Sequence, residues 1–174
     1  DAVVKQLGDR FKAQPAEIVD RVAALQEELK ATGKALAAAQ AELAVAKAGA
    51  LAAKAEALGD FQLLVERLDG VDGAGLQGAA QSLADQLGDG AAVVIGGLPD
   101  PADLGKVILV AAFGKQVIAA KLQAGKFIGG IAKRCGGGGG GRPNLAQAGG
   151  RDGAALAGAL EAARSELEGQ LKAV

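Results

Sequence analysis
The 174-residue chain contains no histidine, tryptophan, tyrosine or methionine, and its single cysteine is Cys135. Without histidine, imidazole acid–base catalysis, Ser–His and Cys–His nucleophiles and His-containing zinc sites are excluded from this chain. A lone cysteine forms no intramolecular disulfide, so the expected compartment is reducing: cytoplasmic, with an organellar form allowed. Cys135 itself reads as a small packing residue, because no base accompanies it. Aromatic residues make up 2% of the chain and all are phenylalanine, too few to stack a run of bases. No apolar run of about 18–20 residues suggests a membrane span, the amino end lacks a secretory pattern, and no membrane partner is expected. Asp1 is not a natural start residue, which points to a piece of a longer protein.

What the chain has in quantity is small residues, with 28 glycines, and 50% hydrophobic residues, much of that alanine. The formal charge of −1 conceals a separation. From Leu104 to Arg151 there are eight cations (Lys106, Lys115, Lys121, Lys126, Lys133, Arg134, Arg142, Arg151) and no acid. Residues 60–103 hold eight acids (Asp60, Glu66, Asp69, Asp72, Asp85, Asp89, Asp100, Asp103) against Arg67 alone. A basic segment of this kind fits a phosphate backbone, or a solvated face with no ligand.

The periodicities predict a helical end over 1–12 and, after Pro15, one helix from Ala16 to Leu58. Apolar residues along it alternate steps of four and three: Ile18, Val22, Leu25, Leu29, Thr32, Leu36, Ala39, Leu43, Ala46, Ala50. This heptad seam needs a partner, such as residues 1–12 with an upstream helix, or a second copy. Beyond Gly59 the order reads β-α-β-β-α-α-loop-α: a strand at Phe61–Leu68, a turn at Asp69–Gly75, a helix carrying Leu76 to Leu87 and strands at Ala91–Ile95 and Val107–Phe113. Helices follow at Lys115–Leu122 and Lys126–Arg134, then a glycine loop, then a helix at Ala154–Leu171. The expected fold is α/β, or α+β-like, with a helical coiled-coil-type arm (1–58) and a small globular domain (59–174) built on a mixed sheet with flanking helices.

Six consecutive glycines, Gly136 to Gly141, open the stretch GGGGGGRPNLAQAGG. They supply no side chain to bury, so packing is not their expected purpose; left-handed dihedrals, or close approach of bare backbone to an anion or a neighbouring strand, are. The stretch lacks the Gly-Lys-Ser/Thr ending of a P-loop and no strand directly precedes it as in a dinucleotide fingerprint, so no nucleotide cofactor is expected. A flexible linker is the plainest alternative, although a cation, two amides and Pro143 are costly detail for a spacer. Lys126 and Lys133 are seven residues apart and project at nearly the same helical angle, beside Arg134, with Arg142 and Arg151 beyond the glycines. Gly137, Gly138, Gly139, Gly140 and Gly141 with these five cations, Asn144 and Gln147 form the candidate RNA-binding set, read by phosphate and shape rather than by base stacking. Asn144 and Gln147 either reach ribose and base edges or pin the loop to its own domain. No catalytic or metal-ligating residue is expected.

GGGGGRPNLAQAGG resembles the signature of the C-terminal, DHH-associated domain of alanyl-tRNA synthetases. PAEIVDRVAALQEELKATGKAL is similar to the helical segment before that domain, KVILVAAF to its strand pair and QAGKFIGGIAKRCGGGGGGRP to its helix-to-glycine passage. Asn144 and Leu145 stand where that family commonly has Asp and Met. The resemblance implies a non-catalytic domain that binds the outer corner of tRNA(Ala), aids aminoacylation and editing, and in several members dimerises through its helices. Its implied partners are tRNA(Ala), the catalytic and editing domains of the parent chain and a possible second copy. It implies no cofactor here, with ATP, Mg and Zn used elsewhere in the parent enzyme. The substrate-binding domain of DHH-type phosphoesterases is the competing resemblance, but there a histidine usually interrupts the glycines. A pure dimerisation module would explain the seam and not the basic loop.

Overall fold
The structure, a computed structural model, describes all residues from Asp1 to Val174. It divides into two compact units, Asp1–Ala39 and Gln40–Val174. In the first, helix α1 (Ala2–Phe11) is capped by the Asp1 carboxylate, which accepts from the Val3 N–H at 3.2 Å, and stops where Lys12 turns left-handed at φ 50. Pro15 then opens a 3₁₀ turn whose Glu17 carboxylate accepts from the Gln14 N–H at 3.0 Å, and this turn leads into helix α2 (Ile18–Leu51). The Gln14–Glu17 box satisfies amides that a helix start leaves unbonded, and Pro15 has no N–H to leave unbonded.

The seam expected on this helix is largely bare. Ile18 is buried, but Val22, Leu25, Leu29, Leu36 and Leu43 are exposed, Leu29 to 74%. The helix is also shorter than the expected Ala16–Leu58. It ends at Leu51 and passes through a 3₁₀ turn, Ala52–Lys54, and residues Glu56–Leu58 form strand β1. Gly59, left-handed at φ 61, closes a tight turn that pairs Leu58 with Phe61, so the last residues exchange helix bonds for ladder bonds. The helical stretch Pro15–Lys54 is, against expectation, long and apolar enough to cross a membrane by length and composition alone. Alanine supplies that hydropathy, and two of those alanines, Ala44 and Ala48, are buried in the second unit's core.

The second unit is a six-stranded mixed sheet in the order β1, β2 (Phe61–Arg67), β3 (Ala91–Gly97), β4 (Val107–Phe113), β6 (Leu145–Gly150), β5 (Gly138–Gly141). Strand β2 runs parallel to β3 through helix α3 (Gly73–Leu87); β4 is antiparallel to β3. Every residue of β3 and β4 is buried, as continuous apolar runs covered on both faces should be. Alternation within those runs still sorts side chains. Ala91, Val93, Ile95, Ile108 and Val110 pack with Leu64, α3 and Ala44 and Ala48 of α2. Ala92, Val94, Leu109 and Ala111 pack with Leu63, helix α5 (Ala124–Ala132) and helix α6 (Leu156–Lys172). The result is helix, sheet, helix.

Arg164 on α6 ties the far edge down by pairing with Glu56 of β1 and donating to the Val65 carbonyl at 2.9 Å. The expected glycine loop is the main correction. Gly138–Gly141 is strand β5 and Leu145–Gly150 is strand β6, an antiparallel hairpin that completes the sheet after the short helix α4 (Lys115–Ala119) and α5. A ladder needs only backbone groups, and glycine retains both.

Candidate nucleic-acid interface
Helix α5 and strand β5 meet through their backbones. The helix begins where the Ala124 N–H donates to the Pro143 carbonyl of the hairpin turn at 2.9 Å. It runs through a 3₁₀ turn, Lys133–Cys135, to Gly136, left-handed at φ 67. There the Gly137 N–H donates to the Ala132 carbonyl at 3.0 Å and the Gly136 N–H to the Lys133 carbonyl at 3.1 Å, a Schellman cap. The chain then doubles back along the face just built.

Gly125 and Gly129, one turn apart on α5, turn toward β5. A Cβ on Gly129 would lie 2.7 Å from the Gly139 carbonyl oxygen, and one on Gly125 would lie 2.6 Å from that of Gly141. The Arg142 N–H donates to the Leu145 carbonyl at 3.1 Å; by the alternation of an antiparallel ladder, Gly140 and Gly138 also face β6 while Gly141 and Gly139 face α5. The helix thus packs against the edge strand through backbone alone, while all four β5 residues stay exposed. Close packing is therefore what Gly125, Gly129, Gly139 and Gly141 do, contrary to the expectation that packing could not explain the glycine run. Two of the expected uses of bare backbone are observed: a left-handed dihedral at Gly136 and close approach to a neighbouring element.

Between α5 and β5 runs a groove of about 590 Å³ whose floor is glycine backbone and whose side chains are Gln123, Lys126 and Lys133. No carboxylate lines it. Both lysines are exposed and neither has an acidic partner; Arg142, also exposed and unpaired, follows β5 at the groove's end. A smooth floor between unneutralised cations admits a polyanion to backbone contact distance.

The structure gathers only some of the expected set here. Lys126, Lys133 and Gly138 to Gly141 line the groove. Gly137 sits at the cap, where a Cβ would fall 1.8 Å from the Gly149 carbonyl oxygen. Arg134 turns to α6 and pairs with Glu166 at 3.5 Å. Arg151 donates through Nε to the Gly136 carbonyl at 3.0 Å, bracing the cap. Gln147 is half-buried on the opposite sheet face, its amide beside Gly73 of α3, and Asn144 is exposed in the hairpin turn, its carbonyl accepting from the Phe113 N–H at 2.9 Å. Gln123, Gly125 and Gly129 were not in that set; the Gly-x-x-x-Gly spacing was the available signal for the glycines. Cys135 is fully buried, and burial first, then the charge of Asp152, pushes its thiol above the usual range. No group of three or more Cys, Asp or Glu side chains is placed to share a metal ion.

A family model described as the DHHA1 domain matches residues 60–172, the whole of the sheet beyond β1 and its helices. The chain belongs to the DHHA1 family. Within it, the resemblance to alanyl-tRNA synthetases holds. The chain is 91% identical over 174 residues to an alanine–tRNA ligase of Synechococcus sp. (strain CC9605), and 94% identical over 171 residues to that of Parasynechococcus marenigrum (strain WH8102). It spans 20% and 19% of the length of those two relatives, covering 100% and 98% of itself. A solved structure, the C-Ala domain from Aquifex aeolicus alanyl-tRNA synthetase, is similar at a TM-score of 0.54 and 28% identity. That similarity covers 68% of this chain and 97% of the other. This DHHA1 domain is thus of the kind carried at the C-terminus of alanyl-tRNA synthetases.

Proposed function
We propose that this DHHA1 domain is a non-catalytic tRNA-binding part of an alanine–tRNA ligase, docking on the outer corner of tRNA(Ala) to aid aminoacylation and editing. The observation that carries the reading is the α5–β5 groove: a side-chain-free floor flanked by Lys126 and Lys133 and free of acids, with exposed Arg142 following its last glycine. Phosphates approach the floor and the three cations neutralise them, while the scarcity of aromatics favours shape over base identity. Arg134 and Arg151, held by Glu166 and by the Gly136 carbonyl, support the site rather than face it. ATP, Mg and Zn belong to the parent enzyme's other domains, and the compartment is cytoplasmic.

Truncating Lys126, Lys133 or Arg142 to alanine is expected to weaken tRNA(Ala) binding by about three- to tenfold each and to lower the slope of log affinity against log salt by roughly one unit per contact. Unchanged affinity in all three variants would remove the groove from consideration.

The exposed seam supports a second part of the reading. Leu29, Leu36 and Leu43 are uncovered on α2, and a second copy or another helix of the parent chain buries them. Sedimentation of the chain over a concentration series separates the two.

A further inference from the structure
Lys121 occupies a position that the second unit, Gln40–Val174, otherwise gives to glycine, although Lys12 in the first unit is left-handed too. It follows α4 with φ 67; its N–H donates to the Ile118 carbonyl at 2.9 Å and the Leu122 N–H to that of Val117 at 3.3 Å. These are the two bonds of a Schellman cap, the motif that Gly136 makes at the end of α5. Gly59, Gly70, Gly88 and Gly136 take the other left-handed turns of this unit, and Lys121 is its one non-glycine residue in that region. An L side chain there pays a steric penalty that glycine does not. The Lys121 ammonium makes no hydrogen bond or ion pair that would repay it: no acid lies within bonding distance and the side chain is exposed.

Its location supplies a reason. Lys121, Gln123 and Lys126 line one depression of about 280 Å³, bordered by Glu166 and Gln170 of α6. Lys126 and Gln123 also line the α5–β5 groove, so the two hollows are neighbours. Glu166, the acid at the border, already faces Arg134. Lys121, Lys126 and Lys133 thus lie before, on and just after α5, and none of them pairs with an acid.

We infer that Lys121 is a phosphate-contacting residue that lengthens the RNA-binding track past the groove, and that its strained backbone is tolerated for that contact. The inference rests on the function proposed above. It predicts a trade between stability and binding at one side chain. Lys121→Gly relieves the left-handed strain, so the melting midpoint of the chain rises by about 2–4 °C. At the same time its affinity for a tRNA(Ala) transcript falls by about three- to tenfold and the salt slope drops by roughly one unit.

Lys126→Ala, measured alongside, separates the two levels. A more stable Lys121→Gly that binds as the unsubstituted chain does, while Lys126→Ala binds weakly, overturns the role of Lys121 and leaves the groove standing. Unchanged binding in both variants overturns the groove and the extension together. A Lys121→Gly that melts lower identifies the lysine as a cation stabilising the carboxyl end of α4, and overturns the inference as well.

Discussion
Strands β3 and β4 hold the centre of the sheet with side chains, and β5 holds its edge without any. In the centre, Val93, Ile95, Leu109 and Val110 fill the space between sheet and helix layers, and each fully buried side chain contributes about 1.5–3 kcal/mol. At the edge, α5 and β5 approach until backbone meets backbone, and the fit depends on volume being absent. Two routes thus give close packing within one sheet. The first resists loss of atoms and the second resists their addition.

Substitutions of opposite sense break the two ends of this comparison. Leu109→Ala removes atoms from a fully buried site between the sheet and α6 and is expected to cost about 2–5 kcal/mol in urea unfolding. Gly139→Ala adds one methyl 2.4 Å from the Ala148 Cα and 2.6 Å from the Gln147 carbonyl oxygen, forcing β5 off β6; about 1–3 kcal/mol is expected.

Cys135 sharpens the comparison, because the glycine edge closes over it: a Cβ on Gly150 would lie 2.7 Å from the cysteine Cβ. Its thiol pKa is raised in the folded state, so the unfolded chain ionises first. The corresponding stability is intact below the unfolded value of about 8.5 and is lost as pH rises from there through the folded value. Labelling by a thiol reagent at neutral pH is expected to be slow in the unsubstituted chain and faster in Gly139→Ala. The smallest effect is at the next residue: Gly138→Ala meets nothing within 4 Å and is expected to stay within about 0.5 kcal/mol of the parent.

The same contrast explains what was legible in the sequence. β3 and β4 announce themselves through β-branched runs, and α3 and α6 through helical spacing of Leu76, Leu83, Leu156 and Leu167. β5 carries no side-chain pattern at all, so glycine punctuation reads as a loop. In β6 the alternation of Leu145, Ala146, Gln147 and Ala148 is present but lies within that same reading, and of the two roles open to Gln147, reaching the ligand or pinning the loop to its own domain, its position against α3 fits the second. β1 is three residues at the end of an alanine-rich helix, and only its pairing with β2 across Gly59 distinguishes it. Lys126 and Lys133 line one groove, a nearness that their shared helical angle suggests, whereas the partners of Arg134 and Arg151 are non-local and have no sequence signal.

Gly138 offers the most direct test that this glycine floor is a polyanion-binding surface. Its open surroundings accept a side chain, so Gly138→Asp places a negative charge on the groove floor without disturbing the packing of Gly139 and Gly141. With the melting midpoint held, affinity for tRNA(Ala) at low salt is expected to fall at least tenfold, while Gly138→Ala binds normally. Equal binding by Gly138→Asp and the unsubstituted chain would contradict it.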